Sequence, residues 1–131
     1  MKSPKQAAVK RLDTVFKKWI RLRDCPDGWG VCCSCGKRMA FEDSDGGHFI
    51  NCRWMPTRWR EDNVHAQCRS CNRFDEGNAV GYALFMIEKY GKAHVEYLRG
   101  LKSEPALFTL SEIELMIADY RKRLNCPSFC S

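Results

Sequence analysis

With 131 residues, 44% of them apolar, and a formal net charge of +6, the chain is long enough for one modest core and basic enough to favour a polyanionic partner, since each neutralised phosphate releases counterions. The absence of a run of about 18 apolar residues excludes a membrane-spanning helix. The opening MKSPKQAAVKRLD has no apolar leader core, so a cytosolic protein is expected.

In chain order, a basic helix is expected over residues 3–24, within an N-terminal segment 1–24. Ser3 is its cap, Pro4 lies in its first turn, and Val9, Leu12, Phe16 and Trp19 form a narrow apolar stripe. Lys5, Lys10, Arg11, Lys17, Lys18, Arg21 and Arg23 cover the remaining faces. Residues 25–77 form a core of loops and a short hairpin, followed by a strand at 48–51, a loop over 55–63 and a helix starting near the second cysteine pair. A helical extension, 78–125, begins with a helix over 78–90, with Val80, Leu84 and Ile87 as its stripe and Gly91 as its stop. A shorter helix over 92–99 follows. The last helix is expected to be capped by Ser111 with Glu114, with Ile113, Met116, Ile117, Tyr120 and Leu124 on one face. Residues 126–131 are a tail, and the whole reads as a single α+β domain.

Nine cysteines in a reducing compartment point to metal ligation rather than disulfides. Cys32 and Cys35 are two residues apart, as are Cys68 and Cys71. Two such pairs complete a tetrahedral zinc site, and a closed four-thiolate shell holds a fold together without doing chemistry. Cys33 offers an alternative register to Cys32. Cys25 and Cys52 read as small apolar residues, and Cys126 and Cys130 as free thiols or a second half-site.

Between the pairs lie GGHFI at 46–50 and EDNVHAQC at 61–68, and CNRF follows at 71–74. Phosphodiester hydrolysis needs a base for water and a ligand that holds a metal against the phosphate. His48, on the expected strand, and Asn72, directly after Cys71, are residue types suited to these tasks. A zinc ion on Cys71 would fix the helix that presents Asn72.

These runs resemble the HNH (ββα-metal) nucleases. CCSCG, GGHFI, TRWREDNVHAQCRSCN, EGNAVGYALFMIEKYG and SEIELMIADYRKRL are together similar to the lambdoid phage NinG family of recombination endonucleases, also called Rap, over residues 8–124. The resemblance implies a zinc-stapled ββα-metal core between a basic N-terminal helix and a helical C-terminal half. It implies an endonuclease active on branched recombination intermediates, such as Holliday junctions or D-loops, in the cytoplasm of a phage-infected bacterium. On that likeness His48 becomes the general base and Asn72 a ligand of a catalytic Mg²⁺ or Mn²⁺. Asn63 matches the middle asparagine, whose amide pins the loop between strand and helix.

The chain departs from the HNH pattern at Gly47, where many such enzymes carry an aspartate as second metal ligand. Asp45, two residues earlier, and His65, two residues past Asn63, are the alternatives. Asp75 and Glu76 stand where more basic character is usual, as a solvated turn or a metal contact. DNA contacts are expected from Arg53, Arg58, Arg60, Arg69 and Arg73 around the site, and from Lys17, Lys18 and Arg21 on the first helix. Trp54 and Trp59 either stack on bases or lie buried. Phe85, Met86, Leu107 and Phe108 are the candidates for a homodimer face or for core. The competing functional reading is a non-catalytic zinc-dependent DNA-binding module.

Overall fold

The computed structural model describes residues 2–74 and 76–126; Asp75 and Cys130 lie outside them. Helix α1, Pro4–Asp24, starts at a capping box in which Ser3 Oγ accepts from the Gln6 amide and the Gln6 side chain accepts from the Ser3 amide. Its buried row is Ala8, Leu12, Phe16 and Ile20, a strict four-residue spacing. Val9 and Trp19, expected in the stripe, flank it half-buried. The partner is α5, Leu110–Leu124, whose Ile113, Ile117 and Tyr120 close the same core. The Phe16 and Tyr120 rings meet edge-on at 5.1 Å. The cap of α5 is Thr109 with Glu112, two residues earlier than the expected Ser111 and Glu114. The segment TLSEIE satisfies the S/T-x-x-E pattern in both registers. The earlier one allows Leu110 to pack on the core.

A small hairpin, β1 (Trp29–Val31) with β2 (Arg38–Ala40), carries the first cysteine pair in its turn. Strand β3, Ser44–His48, pairs antiparallel with β4, Val64–Cys68, in the register Ser44↔Cys68 to His48↔Val64. The expected strand at 48–51 is therefore displaced: His48 is the last residue of β3. Strand β4 escapes a search for alternation because all five of its residues are buried, polar and apolar alike. Val64 and Ala66 face the α1 side, whereas His65 and Gln67 face the other way.

A short helix, α2 (Met55–Arg58), interrupts the expected loop over 55–63. One helical turn, Ser70–Phe74, follows the second cysteine pair. Helix α3, Ala79–Tyr90, is capped by Asn78 and ends at Gly91, and α4, Lys92–Gly100, buries Val95 and Leu98. The face of α3 is a correction. Tyr82 and Met86 are buried, while Val80 (76% exposed), Leu84 (64%) and Ile87 (42%) point outward. Tyr82 decides this rotation, because its hydroxyl donates to the buried Gly47 carbonyl at 2.7 Å. Of the residues considered for a dimer face, Met86 is fully buried, Phe85 packs on His65, and Phe108 packs on Trp59; Leu107 alone is exposed. No helix among the described residues is long and apolar enough to cross a membrane.

Candidate functional site

The Sγ atoms of Cys32, Cys35, Cys68 and Cys71 all lie within 4.8 Å of one another, and Cys35 and Cys68 are 3.9 Å apart. A tetrahedron with Zn–S bonds of about 2.3 Å has edges of about 3.8 Å, so these four side chains could hold a metal ion such as zinc. Burial would raise the Cys32 thiol, but backbone N–H groups of Cys68, Cys35 and Ser34 converge on it and bring it down to about 7. Cys33 does not share this role. It packs with Tyr82, Met86, Val95 and Leu98, and burial pushes its thiol up to about 12.

The same β3–β4 hairpin that carries Cys68 ends at His48. This imidazole, Asn72, Lys17 and Glu76 line one open groove of about 500 Å³. His48 Nε2 donates to the Arg58 carbonyl at 2.8 Å, which leaves Nδ1 with its lone pair. The acceptor is itself braced: the Arg58 guanidinium grips Asp13 of α1 with bonds of 3.0 and 2.5 Å and donates to the Cys52 carbonyl. Burial lowers His48 to about 4, only partly opposed by the Arg58 carbonyl, so the ring is neutral at neutral pH.

Asn63 is fully buried and spends its amide on the loop. Its Oδ1 accepts from the Ile50 amide, and its Nδ2 donates to the carbonyls of Ile50 and Thr57. Asn72 Nδ2 donates to Asp45 Oδ2 at 3.0 Å. Asp45 is also gripped by both nitrogens of the Arg73 fork, at 2.9 and 3.0 Å. Asp45 is therefore hydrogen-bonded to Asn72, as one of the two ligand alternatives required, but Asn72 lines the groove and Asp45 does not, since it stands on the other face of β3 from His48. His65 is not there. It is 1% exposed, donates from Nδ1 to the Tyr82 hydroxyl, and accepts at Nε2 from the Tyr90 hydroxyl. The position before His48 also has a steric explanation: a β-carbon on Gly47 would lie 2.0 Å from Gln67 Oε1. Gln67 is tethered by donating to Ser34 Oγ and the Gly77 carbonyl.

His65 makes stability depend on pH. Burial, followed by the Arg23 charge, depresses it to about 4 from an ordinary value near 6.5. Between those values the unfolded chain binds the extra proton, so this contribution is complete above pH 6.5 and is lost as the pH falls toward 4. A shift of that size corresponds to about 3 kcal/mol at most, and His48 acts in the same direction. Melting temperatures between pH 7 and 4.5 should fall less steeply for His65→Gln than for the parent. Parallel curves would exclude His65 as a source of the acid sensitivity.

Most of the expected DNA-contacting arginines are committed internally. Arg58 pairs with Asp13, Arg60 with Asp62, Arg73 with Asp45, and Arg69 with Asp43, Asp45 and the Glu42 carbonyl. Arg21 donates to Ser44 Oγ and the Phe41 carbonyl. Trp59 is buried and donates to Asp13. Lys17 and Arg53 line grooves at His48, and Lys18 is exposed on α1.

The sequence profile described as "Bacteriophage Lambda NinG protein" matches residues 1–126. The chain belongs to the NinG family. Similar members are the ninG proteins of Salmonella phage P22, 30% identical over 125 residues, and of Escherichia phage lambda, 28% identical over 125 residues. Each of these alignments covers 93% of this chain and 58% of the relative, so the chain spans less than two thirds of the curated NinG proteins it matches. No solved structure matches. Within this NinG chain, sequence reading missed Asp13, Gln67, Tyr82, Arg99 and Lys102. Their roles arise from contacts across 30 to 50 residues that no local motif encodes.

Proposed function

We propose that this chain is a metal-dependent DNA endonuclease of the HNH type. The observation that carries the reading is the pairing, in one groove, of a neutral His48 whose Nε2–H is anchored on a carbonyl with an Asn72 amide held beside Asp45. The anchoring bond orients Nδ1 to take a proton from water attacking the phosphorus. Asn72 and Asp45 offer oxygen donors suited to a hard divalent ion such as Mg²⁺ or Mn²⁺, with Arg73 the charge that such an ion would displace from Asp45. A bound ion supplies charge stabilisation at the phosphoryl oxygens and the leaving 3′-oxygen. The four-cysteine cluster suits a structural zinc, since all four positions are filled by thiolates and none is left for water. In this reading zinc fixes Asn72 through Cys71 and β3–β4 through Cys68.

The branched-DNA preference rests on the family resemblance. One observation favours the competing reading of a zinc-dependent DNA binder: Gly47 stands where an aspartate ligand is common, and Asp45 is neutralised by Arg73. Labelled four-way junction, D-loop, single-stranded and duplex DNA incubated with purified protein and Mg²⁺ or Mn²⁺ separates the two. Metal-dependent nicks, most abundant on the branched substrates, are expected. Shifted but intact DNA with every ion would overturn the nuclease reading.

A further inference from the structure

We propose that the groove continuing past His48, walled by Arg53, Arg99 and Lys102, is a track for the backbone phosphates of one DNA strand flanking the cut. This inference rests on the nuclease reading for the position of the cut. The groove of His48 and Asn72 and a second groove of about 340 Å³ share His48, Phe49, Asn51, Glu76 and Gly77, so the two are continuous across the imidazole. The second contains three cations against one carboxylate, Glu76.

What separates these cations from the neighbouring arginines of the zinc-centred half is their availability. Arg58, Arg60, Arg69 and Arg73 are each paired with aspartates. Among the described residues, no carboxylate pairs with Arg53, Arg99 or Lys102, and all three are exposed. They rest on aromatic rings instead. The Arg99 guanidinium lies 5.4 Å from the Phe49 ring centre; Arg53 and Lys102 lie 5.2 and 5.8 Å from that of Trp54. A ring face attracts a cation without using its N–H donors. The aromatic residues therefore hold the three side chains in place while leaving their hydrogen-bonding capacity for phosphate oxygens. Phe49 directly follows His48, which ties Arg99 to the position of the imidazole. Arg99 lies in the last turn of α4 and Lys102 in the turn that follows it, so the helical extension supplies two of the three cations on this wall.

The test measures DNA binding by fluorescence anisotropy, using a labelled fork with single-stranded arms between about 50 and 200 mM salt, without added Mg²⁺ or Mn²⁺. Two lost phosphate contacts should reduce the slope of log affinity against log salt by about 1.4 to 1.8. The Arg99→Gln/Lys102→Gln protein is expected to show that reduction, with affinity at low salt down about tenfold or more. Arg121→Gln/Lys122→Gln, on exposed α5 positions, should keep the parental slope. A parental slope in the Arg99/Lys102 variant would overturn the track even if the parent nicks DNA. A reduced slope in that variant, with a parent that never nicks, would uphold the track and remove the nuclease reading.

Discussion

Replacing His48 by alanine is expected to reduce metal-dependent nicking by about a hundredfold to ten-thousandfold, the usual contribution of a positioned general base. Affinity for DNA and bound zinc should stay near parental. This separation follows from the geometry. His48 is the last residue of β3 and contributes a single side-chain hydrogen bond, to the Arg58 carbonyl. That carbonyl belongs to a segment secured independently by Asn63 and by the Arg58–Asp13 pair. Loss of the imidazole therefore leaves the loop tied down and the four cysteines untouched. Nicking kinetics on a branched substrate, with anisotropy and zinc analysis in parallel, measure all three quantities. Parental turnover by the variant would exclude His48 as the base.

The second large effect is on the fold. Cys68→Ser should abolish the cooperative melt of the hairpin half and bring zinc content close to zero. Apparent zinc affinities of small structural sites amount to about 10–16 kcal/mol near neutral pH, whereas a whole domain is stable by only about 5–15 kcal/mol. One lost ligand therefore competes with the entire folding free energy. Cys68 terminates β4, receives the Cys71 amide at 3.5 Å, and belongs to the small cluster of Cys25, Cys32, Met39 and Ala66. That cluster has few large apolar groups to sustain it without an ion. The α1–α5 core, built on Phe16, Ile20, Ile113, Ile117 and Tyr120, has its own packing and should retain helical signal. Far-ultraviolet and tryptophan-fluorescence melts, with and without zinc, report on this. A parental cooperative melt in zinc-free protein would refute the structural role of the ion.

Sequence alone determined the features set by short spacings. The two C-x-x-C pairs identify the metal cluster, because two intervening residues bring both sulfurs of a pair to one point. Ser3 and Pro4 mark the start of α1, and Gly91 marks the end of α3, because caps act within one helical turn. His48 and Asn72 could be singled out by residue type and by their places between and after the pairs, but the groove they share is a feature of the folded chain. Tertiary structure decided the rest. Which face of α3 turns inward depends on a Tyr82 hydroxyl that reaches Gly47, 35 residues away. Whether His65 is a ligand or a core residue depends on Tyr82 and Tyr90. Which arginines remain open to a polyanion depends on where Asp13, Asp45 and Asp62 fall, since a guanidinium already gripped by a buttressed carboxylate has little left to offer. Local geometry can be read one turn at a time, but the pairing of charges and hydroxyls across the core exists only once distant segments have met.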